Sequence, residues 1–245
     1  MSNLATTVVE AAERYPQRPA VRLDERFLSY AELDEFSARV AGGLLAHGVR
    51  PGDRVGIRLP DVPVFPVLYF GALRTGAVVV AMRHRPWSLA ALPRGSGCGA
   101  RIVFTTPDAM RAGEADMGDS TFVPVGPDFL DQVAFWPQHP GVVERADAAP
   151  AVIVETEAAA DTALTHGALR DNAAVTARAL IGEATADDPS GPVPEFFSTG
   201  RVYGLNAVVL AGASLPVGRV PESLAACDGS AEAAGSMAVR VGSGR

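Results

Sequence analysis

The strand expected over Ala151–Glu155 ends in a carboxylate, and Glu157 and Asp161 follow it closely. A carboxylate at the end of a buried strand loses hydration. Its pKa rises, and it becomes fit to act as a general acid or base. The plainer alternative is a solvated loop. A second cluster, Arg83-His84-Arg85 with Pro86 and Trp87, follows the run Val78-Val79-Val80. Two guanidinium groups and an imidazole can hold a carboxylate or a phosphate. In open α/β sheets, ligands gather at the carboxyl ends of the strands. The alternative here is a surface cluster with Trp87 packed beneath it. Gly95-Ser96-Gly97-Cys98-Gly99 has the glycines of a phosphate cradle. It precedes a strand instead of leading from a strand into a helix, so it reads as a flexible turn.

Composition removes several chemistries. All 21 basic residues are arginine, and the 245-residue chain has no lysine. Schiff-base catalysis and a lysine-bearing P-loop are therefore excluded, since an always-protonated guanidinium replaces neither. His47, His84, His139 and His166 show no ligand spacing, so no metal is expected. There is no G-x-S-x-G elbow to support a serine nucleophile. Cys98 and Cys227 form no C-x-x-C pair and read as structural thiols. A net charge of −7 argues against nucleic acid. The amphipathic segment Met1–Tyr15 carries Glu10 and Glu13, unlike a secretory signal, and no apolar run is long enough to span a bilayer. The expected location is the cytoplasm, with no membrane partner.

The elements that must position these residues alternate between helix and strand. Ser29 and Glu32 form a capping box that opens a helix. That helix is expected to bury Leu33, Phe36, Val40, Leu44 and Leu45 and to stop at Gly48. Arg50-Pro51-Gly52-Asp53 turns into a strand over Arg54–Leu59. A helix from Pro63 to Gly76 leads to the buried parallel strand Val78–Val80. Further strands are expected over Arg101–Thr105 and Thr121–Val125. A helix over His166–Ile181 has Thr165 as its N-cap. Glu183–Pro194 reads as a loop, Val202–Ala211 as a helix interrupted by Gly204, and Ser214–Val217 as a short strand.

Three segments then occur in order: Leu28-Ser29-Tyr30-Ala31-Glu32-Leu33, Gly48-Val49-Arg50-Pro51-Gly52-Asp53-Arg54-Val55, and Phe70-Gly71-Ala72-Leu73-Arg74-Thr75-Gly76-Ala77. Together they closely resemble the opening of adenylate-forming enzymes, the AMP-dependent ligases that include acyl-CoA synthetases, luciferases and peptide-synthetase adenylation domains. The likeness continues through Cys98–Phe104, Leu164-Thr165-His166 and Gly204–Ala213, and thins out near residue 225. It implies an α/β fold, a mostly parallel sheet flanked by helices. This would be the family's N-terminal region over residues 1–225, with a Gly/Ala/Ser-rich tail at 226–245 and without the C-terminal domain. His166 matches a family position and reads as structural or as satisfying a backbone group. Cys98 stands where relatives carry a small serine, which favours packing.

The resemblance breaks where the family does chemistry. Its phosphate loop is rich in Ser, Thr and Gly and ends in Pro-Lys-Gly, so that backbone amides and a lysine meet the phosphates. The matching interval, Glu155-Thr156-Glu157-Ala158-Ala159-Ala160-Asp161-Thr162-Ala163, has neither glycine nor lysine and adds three carboxylates. The family's Phe-His-x-x-Gly is matched by Phe196-Phe197-Ser198-Thr199-Gly200, so Phe197 replaces the gating histidine. Glu155, Phe197, Arg201 and Tyr203 are thus the expected border of a residual acyl tunnel, and Arg83, His84 and Arg85 the candidate anion cluster. For Arg201 and Tyr203 the alternatives are an ion pair with a neighbouring Glu and packing in the core. No catalytic residue, cofactor or metal is assigned. The expected function is a non-adenylating homologue that binds a partner or a small molecule, acyl-like, neutral or cationic, or associates with itself. One alternative is a repurposed ATP-independent enzyme performing proton transfer, cyclisation or hydrolysis. The other is a decaying fragment.

Overall fold

A computed structural model describes residues 3–23, 26–60, 62–82, 99–111, 120–154, 162–183 and 199–216. Its first helix, α1 (Thr6–Arg14), turns Thr7, Val8, Ala11 and Ala12 inward. Strands β1 (Pro19–Leu23) and β2 (Arg26–Ser29) pair antiparallel. The capping box forms as its spacing requires. Ser29 N donates to a Glu32 carboxylate oxygen at 2.8 Å, and Glu32 N donates back to Ser29 Oγ at 3.3 Å. It opens α2 (Tyr30–Ala46), whose Leu33, Val40 and Leu44 are buried while Phe36 and Leu45 are only half-buried. Gly48, at φ 78°, lets the chain leave that helix.

The central sheet is built from β3 (Arg54–Arg58), β4 (Val78–Ala81), β5 (Ala100–Thr105), β6 (Thr121–Pro124), β7 (Pro150–Val154) and β8 (Thr162–Thr165), in the order β6-β5-β3-β4-β7-β8. All neighbours run parallel except β7 and β8. The β-branched runs explain why: residues such as Val55, Val79 and Val152 are fully buried, as a sheet covered by helices demands. Helix α3 (Val64–Arg74) makes the crossover from β3 to β4 and packs on α2. The short helices α4 (Pro107–Arg111) and α5 (Phe129–Val133) flank β6. Helix α6 (His166–Glu183) starts under the N-cap of Thr165, whose Oγ1 accepts from Ala168 N at 3.2 Å. It packs on α7 (Thr199–Ala211).

Helix α7 corrects one expectation. Gly204 does not interrupt it, because the residue is buried in its interior and packing outweighs the roughly 1 kcal/mol propensity cost of glycine. The chain then enters β9 (Leu215–Pro216), which joins β1 in parallel, so a small second sheet, β2-β1-β9, stands beside the main one. Sequence patterning missed this sheet, since its strands are short and its closing partner lies almost two hundred residues away from β1. The tail at 226–245 lies outside the described residues.

Segment 134–149 has no regular structure, yet it is tightly fastened. A Cβ on Gly42 would stand 1.8 Å from Pro137 O, and one on Gly43 would stand 2.3 Å from the Trp136 ring, so the segment lies directly on the α2 backbone. His139 N donates to Ala38 O at 2.9 Å and Val143 N to Arg74 O at 2.8 Å. Arg74 is fully buried. Its Nε donates to Ser37 Oγ at 3.1 Å, its Nη1 to Pro140 O at 2.8 Å, and its Nη2 pairs with Asp34. One guanidinium thus joins α2, α3 and the irregular segment, using the fork geometry that lysine lacks.

Candidate functional site

Parallel strands end on one edge, and that edge is where ligands of such sheets bind. Here the register pairs Ile57 with Ala81 and Ala81 with Val154, while Arg58 pairs with Thr105 and Thr105 with Pro124. Strands β4 and β7 are therefore immediate neighbours, and the chain leaves both of them at this edge. Glu155 is the next residue after Val154, and Arg83 follows Met82. Glu155, Glu157, Asp161, Phe197, Arg83, His84, Arg85 and Cys98 lie outside the described residues, as does the side chain of Arg201. Tyr203 is described: it sits on α7, half-buried and packed against the main core.

Sequence reasoning did not single out what the described part of this edge carries. Arg58 is half-buried at the end of β3, and Met82 N donates to Ile57 O at 3.0 Å. Thr105 ends β5 with 3% exposure, and its hydroxyl has no hydrogen-bond partner. The available signal was position alone: each residue closes a strand of a parallel sheet.

One more polar pair joins α7 to α3. Asn206 Nδ2 donates to Tyr69 Oη at 2.9 Å and to Val202 O at 2.8 Å, whereas Asn206 Oδ1 has no partner. Burial pushes the Tyr69 phenol above its ordinary range, so it stays a neutral hydroxyl. The described groups can bind and orient; none is an activated nucleophile.

The opposite, amino edge is furnished differently. His166 N donates to Ala149 O at 3.1 Å, and the ring Nδ1 accepts from Leu4 N at 3.1 Å. The histidine thus satisfies a backbone group, one of the two roles its sequence position suggests. Burial, and then the charges of Arg145 and Arg170, push its pKa down to about 4 against a smaller upward pull from Asp147. Asn3 Nδ2 donates to Leu73 O at 2.5 Å and to Val143 O at 2.9 Å. Gly52 N donates to Gly76 O at 2.9 Å, so two of the three sequence motifs meet at this edge, where a left-handed Gly76 completes the turn.

Among the described residues, no group of three His, Cys, Asp or Glu could hold a metal, and no helix is long and apolar enough to cross a membrane. Triostin synthetase I of Streptomyces triostinicus is 42% identical over 96 residues, covering 38% of this chain and 18% of that protein. Phosphinothricin tripeptide synthetase PhsC of Streptomyces viridochromogenes is 33% identical over 152 residues, covering 54% of this chain and 14% of its own length. In fold, the chain matches apo MatB from Rhodopseudomonas palustris with a TM-score of 0.69 at 23% identity, over 89% of this chain and 45% of MatB. The chain spans less than a fifth of those two synthetases and less than half of MatB. The family model described as AMP-binding enzyme matches residues 8–160, well over half of the chain, which therefore belongs to that family of adenylate-forming synthetases.

Proposed function

We propose that this member of the family does not adenylate a carboxylic acid and acts as a small-molecule-binding pseudoenzyme at the carboxyl edge of β4 and β7. One observation carries the reading: the interval Glu155–Ala163, which follows β7, contains no glycine and no lysine and holds three carboxylates. A triphosphate there meets repulsion in place of backbone amides and a cation. No lysine elsewhere in the chain can substitute. The same carboxylates, with Phe197 in the gating position, favour a neutral or cationic ligand over a fatty-acid anion. Arg201 and Tyr203 are proposed to border the same site.

Titration calorimetry with Mg-ATP should show no binding in the micromolar range, and pyrophosphate exchange should be absent. A micromolar ATP affinity would overturn the proposal. Within the same reading, Glu155→Gln should change the affinity for a neutral or cationic ligand while leaving the melting temperature nearly unchanged. If Glu155→Gln and Tyr203→Phe alter only stability, these residues do not border a site.

A further inference from the structure

His166 opens α6 at the amino edge of the sheet with 0% exposure. Because Nδ1 of the neutral ring accepts from Leu4 N–H, the ring proton resides on Nε2. Nε2–H is then a buried donor, and it has no acceptor. Arg145 Nε is a second buried donor without one. Both belong to one neighbourhood: Leu4, which donates to His166, follows Asn3, whose Nδ2 donates to Val143 O at 2.9 Å, and Gly167 N donates to Asp147 O on the other side of Arg145. The Arg145 side chain comes from segment 134–149 and lies against Gly76, its Cδ 3.3 Å from where a Cβ there would stand.

The surrounding charge is positive. Arg170, on the second turn of α6, gives Nη1 to Asp147 Oδ1 at 3.1 Å, and that carboxylate is 58% exposed. At His166 the charges of Arg145 and Arg170 outweigh that of Asp147. The first amides of the helix are already spent: Gly167 N donates to Asp147 O at 2.9 Å and Ala168 N to Thr165 Oγ1 at 3.2 Å. His166 Nε2–H and Arg145 Nε–H, by contrast, are buried donors without an acceptor, which folding penalises. Native interiors seldom leave such groups without a partner. A water molecule would accept both hydrogens but bring two of its own that need acceptors. A small anion accepts both and also balances the charge.

We infer that His166 Nε2–H and Arg145 Nε–H form a binding site for a small monovalent anion of chloride size, separate from the carboxyl-edge site. Its effect follows from the tautomer. An anion on Nε2–H holds the proton there and keeps Nδ1 free to accept from Leu4 N–H. Occupancy therefore fastens the N-terminal segment, and α1 behind it, onto α6.

The test uses the full chain in sodium gluconate and sodium chloride at equal ionic strength. Chloride should raise the thermal midpoint along a saturating curve, as ligand linkage requires. The His166 Nε2 proton resonance should shift with the same chloride midpoint. Arg145→Gln should weaken that midpoint about tenfold, the loss of one charge-assisted hydrogen bond. Absence of a chloride-specific shift, or an equal shift in Arg145→Gln, overturns the site. Should that variant not fold, the wild-type resonance decides alone: an Nε2 proton indifferent to chloride means water and no anion. Neither outcome bears on ATP binding, so this site and the carboxyl-edge reading fail independently.

Discussion

The two edges of the central sheet use polar residues in opposite ways. At the amino edge, buried Asn3, Ser37, Arg74, Thr75 and His166 all spend hydrogen bonds on joining separate parts of the chain or closing turns. At the carboxyl edge, the buried hydroxyl of Thr105 joins nothing, and the clusters that could do chemistry follow the strand ends in sequence. Two of the three motifs that reveal the family lie on the first side. The turn Gly48–Asp53 meets the turn Thr75–Ala77 there, with Val78 N donating to Asp53 O at 2.8 Å. A family likeness carried by those motifs is evidence about scaffold, whereas the proposed loss of adenylation rests on the segment that follows the other edge. One edge can therefore keep the likeness while the other loses the chemistry.

If the amino edge is the fastening side, its buried guanidinium should give the largest single effect. Arg74→Ala leaves Pro140 O and Ser37 Oγ without their donor and strands Asp34, whose own pKa burial already raises against the pull of Arg74. Breaking a buried ion pair from one side costs about 3–5 kcal/mol. Urea unfolding should register that loss, and Arg74→Lys should recover only part of it because an ammonium cannot fork. A cost below about 1 kcal/mol for Arg74→Ala would mean that segment 134–149 is held without it.

The next effect is a dependence on pH. The imidazole of His166 titrates near 6.5 when unfolded and near 4 in the fold. Below pH 6.5 the unfolded chain binds a proton that the folded chain refuses, so stability falls as the pH drops. The contribution is complete above 6.5 and lost progressively toward 4, by up to about 3 kcal/mol. His166→Asn, whose amide oxygen can replace Nδ1 as acceptor, should flatten the curve across that window. An unchanged slope would place the acid sensitivity elsewhere.

How much of this could be read from sequence follows the same division. The helices and strands from Ser29 to Val80 were legible because capping, glycine turns and β-branched runs are local signals, and the structure keeps their boundaries within about two residues. His166 was legible as a backbone partner from its place behind an N-cap. Segment 134–149 was not, since its order comes from long-range contacts such as Pro137 on Gly42, and no periodicity encodes them. The pairing of β9 with β1 was hidden for the same reason. The missing lysine and glycines of Glu155–Ala163 could be read directly, because absence of a residue type needs no fold to interpret it. Arg58 and Thr105 could not, since only the sheet order brings their strand ends together.

The smallest effect is the sharpest test, because it compares one residue type at both edges. Thr75 and Thr105 are each at least 97% buried, at 0% and 3% exposure. Thr75 Oγ1 donates to Ala72 O at 2.7 Å and accepts from Ala77 N at 3.3 Å, closing the turn out of α3. Thr105 Oγ1 makes no hydrogen bond. Valine has nearly the shape of threonine, so each Thr→Val change chiefly removes the hydroxyl. Thr75→Val leaves Ala77 N without an acceptor and should cost about 1–2 kcal/mol. Thr105→Val removes a polar group that already lies desolvated without return, so its effect should be within about 0.5 kcal/mol of zero or slightly stabilising. Chemical denaturation of the two variants side by side measures the difference between edges directly. Equal costs would show that the Thr105 hydroxyl has a partner in solution, which would make the carboxyl edge a fastened surface like the other. A stabilising Thr105→Val that also weakens a bound small molecule would instead place that hydroxyl in the site, held unspent in the free protein for a ligand to use.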